Sequence, residues 1–149
     1  QIAAGADVVQ LFDSWLGLLD PDAYATFVLP YTRRIFAALA GSAPTIHFST
    51  GTTQLLEQIG GSGCDAVSVD WRLPLDDAWQ RIGFDRAIQG NLDPTRLLAP
   101  WPVVEQGVRD VLRYAGGRHG HIFNLGHGIL PQTDPEILRR VVELVHGAA

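Results

Sequence analysis

In this sequence, the residue best suited to catalytic chemistry is a histidine between two glycines. His127 lies in the segment Asn124-Leu125-Gly126-His127-Gly128, which follows an apolar run typical of a β-strand and precedes a helix start at Thr133-Asp134-Pro135-Glu136. Enzymes built on parallel strands place their chemistry on such turns, at the carboxyl ends of the strands. The alternative is a turn histidine that bonds only backbone groups. His127 is therefore the first candidate for a catalytic residue.

Other polar and small residues follow the remaining apolar runs of the chain. They are Asp13, Ser14, Thr50, Gly51, Asp70, Trp71, Asn91 and Asp93. Because the carboxyl ends of parallel strands meet at one edge of a sheet, we expect these residues to surround one mouth together with His127. Polar turn formers are common at strand ends, so their number alone does not establish a site.

The elements that must position these residues alternate between short apolar runs and longer amphipathic stretches, as in βα units on a parallel sheet. Strands are predicted over residues 8–12, 45–49, 66–70, 86–90 and 121–124. Helices are predicted to start at Asp20-Pro21 and over residues 53–59, 74–82, 102–114 and 134–146.

Three of these helices carry specific expectations. The first should be kinked at Pro30 and should bury a series of apolar residues, which are Tyr24, Phe27, Val28, Tyr31, Ile35 and Leu39. The last should begin with Thr133 and Glu136 at the spacing of a capping box. Gly116-Gly117 should end the helix that precedes the last strand.

The predicted fold class is α/β, with five βα units. A closed eight-stranded barrel typically needs about 250 residues, so the chain is either an open sheet or about the last five βα units of a (βα)8 TIM barrel. The chain contains no methionine, which favours the second interpretation. No linker or low-complexity tract divides it, so residues 1–149 are predicted to be the carboxyl-terminal portion of a single barrel domain.

Composition limits the classes of partner. A hydrophobic content of 46% with 18% charged residues is typical of an ordinary globular domain. The net charge of -5 argues against nucleic acid, and no apolar run approaches the roughly 20 residues that cross a membrane. The chain shows no secretory leader, and Cys64 is its single cysteine, so we expect a cytoplasmic protein with a small-molecule ligand.

Four phrases, in this order, resemble the uroporphyrinogen decarboxylase family. They are Gln10-Leu11-Phe12-Asp13-Ser14, Val69-Asp70-Trp71, Gln89-Gly90-Asn91-Leu92-Asp93-Pro94 and Asn124-Leu125-Gly126-His127-Gly128. The resemblance implies strands four to eight of a (βα)8 barrel that acts as a homodimer in the cytosol, without metal or organic cofactor. The implied reaction decarboxylates the four acetate side chains of uroporphyrinogen to give coproporphyrinogen, in tetrapyrrole (haem and chlorophyll) biosynthesis.

The resemblance also implies roles for particular residues. Ser14 and His127 fall on the substrate-contacting hydroxyl and the histidine of the family, and Phe12 falls on a wall of its pocket. An imidazole and a hydroxyl can both donate hydrogen bonds to a carboxylate, and we favour binding over proton transfer for both. The family's arginine-rich phrase, pyrrole-binding aspartate and tyrosine have no counterpart here, so we expect no activity from this segment alone. Arg72 is interpreted as a surface or salt-bridge arginine.

Several other residues are expected to be structural. His119 and His121 offer only two metal ligands, and structural zinc takes four. His47 is interpreted as a hydrogen-bonded core histidine and Cys64 as buried packing. Asp70 is expected to bond loop amides, and Asp93 to cap a helix.

Two alternative functions stay open from the sequence. One is a zinc-dependent corrinoid methyltransferase of the same barrel superfamily, although the chain has no His-x-Cys pair. The other is a non-catalytic half-barrel that binds porphyrin or a protein partner through exposed strand edges.

Overall fold

A curved sheet of five parallel strands is the central element of the computed structural model, which describes residues 1–148. The strands are β1 (Val9–Asp13), β2 (Thr45–Ser49), β3 (Ala66–Ser68), β4 (Ala87–Leu92) and β5 (His121–Leu125). They pair in chain order, β1-β2-β3-β4-β5, without the reversal that marks a doubly wound sheet. This order is that of consecutive βα units in a barrel.

Six α-helices connect and follow the strands. They are α1 (Pro21–Phe27), α2 (Leu29–Leu39), α3 (Leu56–Gly60), α4 (Leu75–Ile82), α5 (Trp101–Ala115) and α6 (Pro135–Gly147). Among the described residues, no helix is both long enough and apolar enough to cross a membrane.

The hydrophobic core lies between the outer face of the sheet and the helices. Val67 of β3 and Ile88 of β4 are fully buried there, together with Trp79 of α4 and Val104 and Val108 of α5. The indole Nε1–H of Trp79 donates to the Arg86 carbonyl oxygen at 2.8 Å, so this large side chain has its polar group satisfied. The core thus fixes the outer side of the sheet and leaves the inner face for the site.

The inner face of the sheet is partly polar and partly open. Gln89 of β4 donates to Gln10 of β1 at 3.2 Å and to Ser68 of β3 at 3.0 Å. In a flat sheet, β1 and β4 would lie about 14 Å apart, three strand spacings, so the contact shows that the sheet curves around this face. Phe12 and Ile122, on the edge strands β1 and β5, remain 70% and 42% exposed on it.

The structure confirms all five predicted strands, with changes at their ends. Strand β3 ends at Ser68 and β4 continues to Leu92, where the sequence predicted ends at residues 70 and 90. Gly116 adopts a left-handed conformation (φ 63°) and ends α5 as expected.

The predicted first helix is divided in two at Val28, two residues before the predicted kink at Pro30, and half of its predicted buried residues are exposed. The chain breaks at Val28 (φ -119°), between α1 and α2. Because the break changes the phase of the second helix, its buried residues are Leu29, Thr32 and Phe36. Phe27, Tyr31 and Ile35 are instead 72%, 61% and 42% exposed, while Tyr24 is buried as predicted.

The predicted cap of the first helix is confirmed, whereas the cap of the last helix differs from the prediction. The Asp20 carboxylate accepts from two backbone N–H groups at the start of α1, as predicted. At the start of α6 the cap is Asp134, which accepts from the Glu136 N–H at 2.9 Å. Thr133 is buried and its hydroxyl has no hydrogen-bond partner, so the predicted capping box is wrong.

Candidate active site

An aromatic cluster at the carboxyl edge of the sheet contains two of the residues singled out from the sequence. Phe12 of β1 pairs in register with Phe48 of β2, and their ring centroids are 5.5 Å apart. The imidazole of His127, beyond β5, meets Phe48 edge-on at 5.8 Å. Phe48 therefore links Phe12 and His127 from opposite ends of the strand order.

Phe48 was not among the residues predicted for the site. It is only 6% exposed, and it lies between the two residues that were predicted. The signal that could have found it is the two-residue alternation of the strand, which puts Phe48 on the same face as Ile46. A uniformly buried strand hides this alternation, because both faces carry apolar or neutral residues.

The turn that holds His127 also fixes its tautomer. The Gly128 N–H donates to His127 Nδ1 at 2.7 Å, so Nδ1 acts as an acceptor and the neutral ring carries its proton on Nε2. The side chain is exposed, so this Nε2–H is free to donate to a ligand. The predicted contact of His127 with the backbone is thus made by Nδ1, and Nε2 stays available to a ligand.

Gly126 anchors this turn to the rest of the edge. Its N–H donates to the Leu92 carbonyl oxygen at 2.8 Å. A Cβ atom at this position would lie 2.7 Å from the backbone nitrogen of Trp71, so only glycine allows the turn to approach the loop after β3 so closely. The position of His127 therefore depends on contact with another strand's loop.

Ser14 lies at the same edge of the sheet, in the loop after β1. It follows β1 and lines a cavity of about 230 Å³ with Thr50, Gly51 and Arg72. Its carbonyl oxygen accepts a hydrogen bond from Thr50 Oγ1 at 2.6 Å. His127 is not among the described residues that line this cavity; it contacts Phe48, which pairs with Phe12, whereas Ser14 shares the cavity with Arg72.

Asp70 and Asn91 organise the loops of this edge. Asp70 is 7% exposed, and its carboxylate accepts from the backbone N–H groups of Gly51 (2.5 Å) and Arg72 (2.9 Å). It also forms an ion pair with the Arg72 guanidinium, which stacks over Trp71 with 4.6 Å from Cζ to the ring centroid. The Asn91 amide donates to the Asp70 and Leu73 carbonyl oxygens. Both Asp70 and Arg72 thus have the structural contacts that the sequence predicted.

Asp13 departs from the predicted arrangement around the mouth. It alternates with Phe12 along β1 and so lies on the helix side of the sheet, where burial raises the pKa of its carboxyl group. Asp93 caps the short helical turn after β4, as expected, and accepts from the Thr95 N–H at 2.8 Å.

The remaining histidines and the cysteine lie away from the mouth. His47 is fully buried, so its predicted place in the core is confirmed. Both of its ring nitrogens lack a hydrogen-bond partner, so the predicted hydrogen bond is wrong. Burial lowers the pKa of His47 to about 4. The His121 ring is bonded through Nε2 to the Gly90 carbonyl oxygen at 2.9 Å. Cys64 is buried, as expected, and burial raises the pKa of its thiol.

The described residues offer hydrogen-bond donors at this edge but no cluster of metal ligands. Within residues 1–148, no three His, Cys, Asp or Glu side chains are grouped closely enough to hold a metal ion. His127 can donate a hydrogen bond to an anionic ligand, as can Ser14 and Arg72 in the cavity that they line.

Comparison with known proteins gives a match along the whole of the described chain. The profile of the uroporphyrinogen decarboxylase (URO-D) family matches residues 1–148. Uroporphyrinogen decarboxylases from Frankia casuarinae and Streptomyces coelicolor are each 54% identical over 147 residues. The matches cover 99% and 98% of this chain but 40% and 41% of the two relatives, so the chain spans about two fifths of their length.

A solved structure shares the fold at much lower identity. A methyltransferase from Methanosarcina mazei superposes with a TM-score of 0.85 at 22% identity, covering 99% of this chain and 44% of that one. This likeness supports the fold alone, a five-strand portion of a TIM barrel. Since the family profile covers the chain almost from end to end, and curated relatives share more than half of its residues, the chain belongs to the uroporphyrinogen decarboxylase family.

Proposed function

We propose that the complete protein decarboxylates the four acetate side chains of uroporphyrinogen to give coproporphyrinogen, in tetrapyrrole biosynthesis. The observation that carries this proposal is the His127 imidazole, whose Nε2–H is free beside the aromatic pair Phe12 and Phe48 at the carboxyl edge of the sheet. Membership of the decarboxylase family supports it. In this proposal residues 1–149 are one portion of a single barrel domain and are inactive by themselves.

The reaction needs a pyrrole ring that can accept electrons. Protonation of the ring lets the bond between the acetate methylene and its carboxylate break, and the electron pair of that bond passes into the ring as carbon dioxide leaves. The methylene carbon then takes up a proton and becomes a methyl group, and the ring releases the proton that it had gained. We assign this proton transfer to groups outside the described segment, because His127 and Ser14 are assigned to carboxylate binding.

The proposed role of His127 and Ser14 is to hold carboxylates while this happens. The Nε2–H of His127 and the hydroxyl of Ser14 each donate to a carboxylate oxygen, and such bonds to a charged acceptor are stronger than neutral ones. Phe12 and Phe48 offer apolar faces to the macrocycle, with Phe12 as a wall of the pocket. We further propose that the protein works without metal or organic cofactor, as a homodimer in the cytosol.

Activity of the complete protein and of two variants tests this proposal. Uroporphyrinogen is supplied under anaerobic conditions, and products are separated by their number of carboxylates. We expect kcat/KM to fall about 10- to 100-fold in His127→Leu and about 10-fold in Ser14→Ala, the size expected for losing one hydrogen bond to a charged group.

The matched control is His119→Leu, since His119 is an exposed histidine at the opposite, amino-terminal end of β5 and should leave kcat/KM unchanged. A wild-type protein that releases no carbon dioxide would contradict the decarboxylase function. Equal kcat/KM values for wild type and His127→Leu would contradict the site instead. Stoichiometric zinc in the purified protein would favour the corrinoid methyltransferase.

A further inference from the structure

The cavity beside Ser14 is formed by the loops that follow three neighbouring strands. Ser14 and Trp15 come from the loop after β1, Thr50 and Gly51 from the loop after β2, and Arg72 from the loop after β3. Arg72 is the one charged side chain among its lining residues. Ser14 is the residue already proposed to meet substrate, so Arg72 shares a cavity with part of the proposed site.

Hydrogen bonds and close packing fix these loops relative to one another. Thr50 Oγ1 bonds the Ser14 carbonyl oxygen, and the Gly51 N–H bonds the Asp70 carboxylate that holds Arg72. Gly17, in the loop after β1, approaches so closely that a Cβ there would lie 2.6 Å from the Thr50 and Gly51 carbonyl oxygens. Ser14 and Arg72 are therefore held in a preorganised arrangement before any ligand binds.

The contacts of Arg72 leave most of its donors free. Its guanidinium makes one hydrogen bond within the described chain, to Asp70, and a guanidinium has five N–H groups. The side chain is 49% exposed and stacks on Trp71, which restricts its orientation. Asp70 also accepts two backbone N–H groups, so its carboxylate does not depend on Arg72 alone. The remaining N–H groups of Arg72 can bond a second acceptor.

The charge of the proposed substrate supplies that acceptor. Each pyrrole ring of uroporphyrinogen carries carboxylates, whereas this chain has a net charge of -5. A polyanion on an acidic chain needs a local cation, and a planar guanidinium matches the two oxygens of a carboxylate. We propose that Arg72 is a specificity-determining residue that binds one substrate carboxylate together with the Ser14 hydroxyl. This inference rests on the proposed function, because that function supplies the polycarboxylate.

Ligand binding by the complete protein tests the inference without relying on turnover. The probe is uroporphyrin, the stable oxidised form of the substrate, and binding is followed by quenching of tryptophan fluorescence. We expect Arg72→Gln to raise the Kd for uroporphyrin and the KM for uroporphyrinogen about tenfold, with kcat within about twofold of wild type. Arg72→Lys keeps the charge beside Asp70 but lacks the paired N–H donors of the guanidinium, so it should give an intermediate Kd.

The control is Arg109→Gln, since Arg109 is an exposed arginine paired with Glu105 on α5 and should leave Kd and KM unchanged. Unchanged Kd in Arg72→Gln, with a lowered melting temperature or kcat, would overturn the inference and leave Arg72 as a support for Asp70. A wild type that binds uroporphyrin in an Arg72-dependent way but releases no carbon dioxide would overturn the proposed function and keep the inference. Absence of uroporphyrin binding in the wild type would overturn the inference.

Discussion

Two histidines of this chain have opposite environments, and the difference comes from their immediate contacts. His127 is exposed, and the Gly128 N–H occupies its Nδ1, so the ring presents an N–H donor from Nε2. His47 is fully buried on the helix side of β2, 5.5 Å from the Phe36 ring, and neither nitrogen has a partner. The first is suited to binding an anion, whereas the second is kept neutral by burial.

The environment of His47 predicts a pH dependence of stability. Its pKa is lowered to about 4 in the folded protein, against about 6.5 when unfolded, so the unfolded state takes up a proton first as the pH falls. This contribution to stability is complete above about pH 6.5 and is lost progressively as the pH falls towards 4. Between pH 7 and pH 5 we expect a loss of about 2 kcal/mol from this group.

Urea unfolding of the complete protein at pH 7, 6 and 5 measures this loss, with His47→Leu as the comparison. The leucine variant should lack this part of the pH dependence, while other titrating groups contribute equally to both proteins. Parallel curves for the two proteins would show that His47 does not control stability in this range.

The loops at the carboxyl edge form a connected set, and the strands alone would not place the site residues. The loop after β2 is bonded to those after β1 and β3, through Thr50 to Ser14 and through Gly51 to Asp70. The turn after β5 is bonded to β4 through Gly126 and Leu92, and it touches the loop after β3 at Trp71. Each candidate residue is thus positioned by a strand other than its own.

Gly126→Ala tests this dependence. The added methyl group would meet the Trp71 backbone nitrogen at 2.7 Å, and backbone on both sides must move to relieve the contact. We expect the free energy of unfolding to fall by about 1–3 kcal/mol, the usual cost of overpacking, as measured by urea denaturation. Gly128→Ala is the matched control, because a Cβ there meets nothing within 4 Å, and its stability should change by less than about 0.5 kcal/mol. Equal stability of the two variants would contradict the close approach.

The sheet as a whole is strongly curved and has two edge strands, β1 and β5, within the described residues. Exposed apolar side chains on its inner face, Phe12 and Ile122, lie on these edge strands. The curated relatives belong to the same family as this chain and are more than twice as long. Closure of a barrel by further strands would cover Ile122, whereas Phe12 is proposed as a wall of the substrate pocket.

A charge on the inner face tests closure in the complete protein. We expect Ile122→Asp to lower the free energy of unfolding by more than about 2 kcal/mol, since closure would bury the carboxylate. Val103→Asp is the control, because Val103 is 44% exposed on α5, close to the 42% of Ile122, but lies on the outer layer. Similar small losses for both variants in thermal or urea unfolding would indicate that the inner face stays open.

The amino-acid sequence by itself determined the five strands to within two residues, the helix caps at Asp20 and Asp93, and the family. It also predicted that polar residues gather at one edge of the sheet, which holds for Asp70 and Asn91 but not for Asp13. These features depend on periodicity and capping within a few residues of the chain, or on residue order along it. Tertiary structure alone decided the face that α2 buries, the place of Phe48 between Phe12 and His127, and the cavity that Ser14 shares with Arg72. The physical reason is that these depend on sheet curvature and on loop packing between segments distant in the chain.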